Sequence, residues 1–72
     1  MNDQEKIELL EEIMDVEPGT LTLEKELSEF DEWDSLTALT YIMTMNEKFH
    51  KTVSGEQIKS FVTVADALEL MK

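Results

Sequence analysis

Apolar residues recur along the chain at three- and four-residue spacing, the period of a helix that buries one face, and no apolar/polar alternation runs long enough to predict a strand. Ile7, Leu10, Ile13 and Met14 form the first such stripe. With Asn2 or Asp3 as its start signal and Glu5 in its first turn, this stripe predicts a helix over residues 3–15. Pro18-Gly19 breaks it. Leu21, Leu23, Leu27 and Phe30 then anchor a loop of about 15 residues that crosses the bundle, a length that often carries function.

A second helix is predicted from Asp34 or Ser35 to Phe49. Leu36, Leu39, Ile42, Met43 and Phe49 supply its apolar stripe, Asp34 is its N-cap candidate, and Lys48 and Lys51 suit the negative end of its dipole. Tyr41 falls on its less regular face, where the hydroxyl is expected to reach only water. Ser54-Gly55-Glu56-Gln57 fits a capping box that opens a short helix through Ile58 to about Phe61. Thr63 and Asp66 repeat that device at the head of a last helix, whose Val64, Ala67, Leu68 and Met71 face inward. The fold expected is an all-α four-helix bundle, three longer helices and one short one, with a long loop after the first helix.

Length confines this pattern to a single domain, residues 1–72. A chain this small hides only about 60–65% of the surface its unfolded form exposes, so a thin core and modest stability are expected. Without cysteine it can form neither disulfides nor thiolate metal sites, which suits a cytoplasmic protein. No apolar run approaches the roughly 18 residues of a membrane span, and the acidic start (Asn2, Asp3, Glu5, Glu8) lacks the basic residues of a signal peptide. No membrane insertion is expected. Six basic against seventeen acidic side chains give a net charge of −11. That charge repels phosphate backbones, so nucleic acid is not an expected partner, while proteins with Lys/Arg patches are. It also opposes self-association and loosens the fold, which makes a monomer the expected state and predicts tightening by divalent cations or lower pH.

One hydroxyl stands out against this background. Ser35 sits at the start of the second helix, where the helix's own packing cannot bury it, and where a phosphate would face unpaired N–H groups and the positive end of the dipole. Two readings are open: Ser35 is an ordinary N-cap, or Asp34 caps the helix and Ser35 is left for modification.

The motif Asp34-Ser35-Leu36, the rhythm Leu36, Leu39, Ile42, Met43, the helix end Glu47-Lys48-Phe49, the pair Val53-Ser54 and the closing Thr63, Val64 and Ala67 together resemble the acyl carrier protein family over essentially the whole chain. The resemblance implies 4'-phosphopantetheine attached to Ser35 as a phosphodiester, transferred from coenzyme A by a phosphopantetheinyl transferase in a magnesium-dependent step. It further implies acyl groups carried as thioesters at the far end of that arm, sheltered in a cleft between the second and third helices and delivered to enzymes. The carrier itself would not be an enzyme. Asp34 would help the transferase place its metal and the serine, and Leu36 would be half core and half partner contact. A chain with no thiol of its own needs an added group for thioester chemistry, which agrees.

The sequence also departs from the fatty-acid carriers of that family. Thr37 and Thr40 stand where Asp or Glu is usual, and Asn46 and Lys48 interrupt the acidic cluster in which Glu47 remains. Carboxylates there meet Lys/Arg on partners, so steering toward basic synthases should be weaker. Trp33 replaces a small residue; it either lids the core or contacts partners. These changes suggest a specialised carrier served by a dedicated ligase or acyltransferase. Peptidyl carriers usually place Gly-Gly or Gly-His before the serine, whereas Glu32-Trp33-Asp34 resembles stand-alone acyl or aminoacyl carriers. Met14, Met43, Met45 and Met71 serve either as core filler or as lining of an adaptable cleft. An unmodified acidic interaction module is the alternative from another class.

Other chemistries lack their residues. No stretch supplies the alternating Asp/Asn, central Gly and terminal Glu of a calcium loop, and Gly19 and Gly55 alone make no phosphate loop. His50, the sole histidine, has no partner ligands at metal spacing and is expected on the surface.

Overall fold

Residues 2–71 are described in a computed structural model, in which each helix begins where a polar side chain can take up the first loose N–H groups. In α1 (Asp3–Met14) the Asn2 side chain accepts the Glu5 N–H at 2.8 Å, and the Glu5 carboxylate accepts the Asn2 N–H at 3.2 Å. Asp15, left-handed at φ 57°, ends it. Leu9, Leu10, Ile13 and Met14 are buried along α1, and so is Glu11. The Glu11 Oε2 accepts the N–H of Gly19 at 2.8 Å and of Leu21 at 3.1 Å, so a carboxylate inside the apolar face fastens the following turn. Gly19 makes that turn at φ 90°, where a side chain would be strained.

The long connection then crosses the bundle, as expected. Leu21 and Leu27 are buried, Leu23 and Phe30 pack against the core, and Leu27–Glu29 coil into a 3₁₀ turn. Backbone hydrogen bonds stitch the connection to the far end of the chain: Leu27 N–H to Val62 O at 2.9 Å, and Val64 N–H to Lys25 O at 2.8 Å. Glu26 and Thr63 form an isolated antiparallel bridge there, and no strand forms among the described residues.

In α2 (Ser35–Phe49) Asp34 is the N-cap, accepting the Thr37 N–H at 3.0 Å, and left-handed His50 is the exposed C-cap. Of the expected stripe, Ile42 and Phe49 pack against the core, but Leu36, Leu39 and Met43 face outward. Tyr41 and Met45 are buried, flanked by half-buried Ala38, Ile42 and Phe49, whereas Leu36 is 73%, Leu39 53% and Met43 57% exposed. This helix is apolar on two faces, and the one bearing the large aromatic reaches the core.

Ser54 opens α3 (Gly55–Lys59) with the expected box, Ser54 Oγ accepting the Gln57 N–H at 3.2 Å and Gln57 Oε1 the Ser54 N–H at 2.9 Å. In α4 (Val64–Leu68) Asp66 accepts the N–H groups of Thr63 at 3.0 Å and Val62 at 2.8 Å. Two helices are therefore long and two short, where three longer ones were expected: Met71 N–H bonds Leu68 O at 3.0 Å, a tighter turn that ends α4 early and swings Met71 into the core. The four-helix, all-α architecture stands. Met14, Met45 and Met71 are core filler, whereas Met43 is exposed, and none of the four lines the cleft between α2 and α3. Among the described residues no helix is long and apolar enough to cross a membrane.

Candidate functional site

Ser35 is the first residue of α2 and is exposed. Because Asp34 does the capping, the Ser35 hydroxyl is left outside the cap. The N–H donated by Thr37 holds the Asp34 carboxyl below its ordinary range, so an anionic carboxylate stands beside the serine at neutral pH. No acid occupies the first turn of α2, whose leading N–H groups and dipole favour a phosphate ester on Ser35.

An open groove of about 920 Å³ lies alongside. Trp33, Ala38, Leu39 and Ile42 line it from the α2 side and Ile58, Phe61 and Val62 from the α3 side, with Asp34 and Ser35 also in its lining. That volume is at the upper end of ordinary ligand pockets, enough to shelter an apolar group tethered at Ser35. The residues present thus fit a phosphate-linked arm bearing an apolar load: an exposed hydroxyl, an acid-free helix start and adjoining apolar walls.

Behind the groove stands Tyr41, and here the sequence reading is corrected. Its hydroxyl does not reach water; it is fully buried and donates to Ala67 O at 2.6 Å. Burial pushes its phenol well above the ordinary value, so it stays protonated. Trp33 meets its ring edge-on at 5.8 Å between centroids and Phe61 does so at 5.7 Å. Trp33 is half-buried and lids the core through this contact.

The structure brings Trp33, Asp34 and Ser35 together at the groove. Leu36 lies outside the groove lining; it heads an exposed face of α2 that continues through Thr40 and Met43 to Glu47. Thr37 is half-buried with its N–H on Asp34, and the Thr40 hydroxyl donates to Leu36 O at 3.2 Å. Residues 35–46 carry no charged side chain, so this face is apolar and neutral as far as Glu47 in a strongly acidic protein. Of the groove walls, the sequence marks Ile42 as a stripe residue and Ile58 and Phe61 as the span of the short helix, while nothing in the spacing marks Ala38; the cleft between the second and third helices is expected from the family resemblance and not from spacing.

Over residues 7–71 the chain matches the family described as phosphopantetheine attachment site. It is 31% identical over 64 residues to an acyl carrier protein of Kocuria rhizophila, covering 89% of this chain and 79% of that protein. With an acyl carrier protein of Beutenbergia cavernae it shares 32% identity, covering 93% and 87% respectively. No solved structure matches it.

Proposed function

The chain belongs to the acyl carrier protein family, whose cofactor is 4'-phosphopantetheine, and on that premise we propose that Ser35 is the attachment residue and that the whole chain, 1–72, is one carrier domain for acyl thioesters. The observation that carries this reading is the exposed Ser35 hydroxyl, released from capping by Asp34 and opening onto an apolar groove. In the attachment step Ser35 Oγ gives its proton to a base on the transferase and bonds to the β-phosphorus of coenzyme A. The pyrophosphate P–O bond breaks and adenosine bisphosphate leaves. The attached group supplies the thiol that the chain lacks.

This chain's own residues then bind and orient. Asp34 fixes the start of α2 and keeps a negative charge beside Ser35 for the transferase's metal, the N–H groups of the first turn hold the phosphate, and the groove walls shield an apolar load. On this reading the protein holds the thioester and leaves its making and breaking to partner enzymes, a carrier and not an enzyme. A cytoplasmic monomer serving a dedicated ligase or acyltransferase is the form that suits its charge and its uncharged α2 face.

Thiol counting tests the proposal, because the unmodified chain has no sulfhydryl. Incubation with coenzyme A, magnesium and a broad-specificity phosphopantetheinyl transferase, followed by removal of small molecules, should leave one titratable thiol per chain and none in Ser35→Ala. A thiol-free product with several transferases would instead favour an unmodified interaction module.

A further inference from the structure

Tyr41 is buried against two rings that line the groove beside Ser35, and we propose that it closes the back of that groove, so that this carrier lays its cargo along the outside of α2 and α3 and does not admit it to the bundle interior. Tyr41 is thereby a specificity residue favouring compact acyl groups over long chains; the inference rests on the reading that Ser35 bears the arm.

An apolar chain starting at Ser35 has two ways to leave water. It can lie in the groove, or pass through the back wall toward Leu10, Ala67 and Leu68, all buried. Trp33 and Phe61 line the groove, whereas Tyr41, in edge contact with both, does not. Its ring therefore occupies the position behind them, between the groove and α4. The far tip of that ring is tied to α4 by the 2.6 Å bond to Ala67 O. To move aside, Tyr41 must leave both aromatic edges and strand its hydroxyl and a carbonyl without partners in a dry interior. Burial also raises its pKa, so no ionised form is available to draw it toward water. A leucine at this position could change rotamer around a guest; a ring pinned on two sides and at its tip resists doing so.

The test uses the full chain carrying its arm, loaded with butanoyl, octanoyl, dodecanoyl or hexadecanoyl thioesters. The thermal midpoint should rise from butanoyl to octanoyl and then level off, and Tyr41→Phe, which keeps the ring, should show the same plateau. In Tyr41→Leu the rise should continue to hexadecanoyl. Since loss of the ring could unfold a thin core, the native protein supplies an independent reading: a ¹³C-labelled terminal methyl of dodecanoyl cargo should show nuclear Overhauser contacts to Leu39 or Val62, or none. Contacts to Leu10, Ala67 or Leu68, or a midpoint that climbs through hexadecanoyl in the native chain, overturn the proposal. Failure of the attachment reading shows earlier, as absence of the thioester mass from the native chain, or its presence on Ser35→Ala, and removes both.

Discussion

Two hydroxyls divide the work at the head and middle of α2. Ser35 is open to solvent because Asp34 takes the cap, and Tyr41 is sealed because Ala67 O takes its proton. Removing the second hydroxyl should cost about 1 kcal/mol, the net worth of a neutral hydrogen bond. Tyr41→Phe should then lower the thermal midpoint by roughly 4–8 °C with helix content unchanged in circular dichroism; no shift would show the bond to be idle. Asp34 and Asp66 make a pH prediction. Both are held below the ordinary carboxylate range, chiefly by the Thr37 N–H and the Thr63 N–H respectively. A depressed folded pKa gives stability that is present above the unfolded value, near 3.8, and is lost as pH falls through the lower folded value. Asn caps without a charge, so Asp34→Asn should flatten the acid limb of stability below about pH 4 while preserving α2.

Among the elements, the helix starts were legible because caps are local: Asn2 with Glu5, Ser54 with Gln57 and Thr63 with Asp66 declare themselves at fixed spacing. What spacing could not decide was which apolar face of α2 turns inward. Leu36, Leu39 and Met43 recur as regularly as Ala38, Tyr41 and Met45, and only the tertiary partners Trp33, Phe61 and Ala67 O select the second set. Glu11 had a readable signal, a carboxylate on the stripe between Ile7 and Met14, but its partners lie eight and ten residues onward. Glu11→Ala should release both amides, costing about 2 kcal/mol and speeding hydrogen exchange at Gly19 and Leu21 while α1 stays protected. Unchanged exchange there would contradict the fastening role. The exposed face of α2 also makes a kinetic prediction. Thr37→Asp with Thr40→Glu should raise transferase kcat/KM at low salt and steepen its fall with ionic strength. Equal salt slopes in both proteins would mean that partners do not read this face.

For the whole molecule, charge and thin core act together. With −11 spread over a small bundle, self-repulsion opposes folding, and added sodium chloride should raise the thermal midpoint by screening it. A falling midpoint would put the repulsion elsewhere than in the folded state. The same acidity is absent from residues 35–46, so the charge surrounds the presenting face rather than covering it. On the proposed reading, Ser35 and the groove beside it give a carrier its two needs, a tether point and a shelter. Intact-mass spectrometry with fragmentation after treatment with coenzyme A, magnesium and a phosphopantetheinyl transferase reads the tether point directly. The mass of one phosphopantetheine should appear on the native chain, localise to Ser35 and vanish in Ser35→Ala. An adduct on any other residue, or none on the native protein, would contradict the assignment of Ser35.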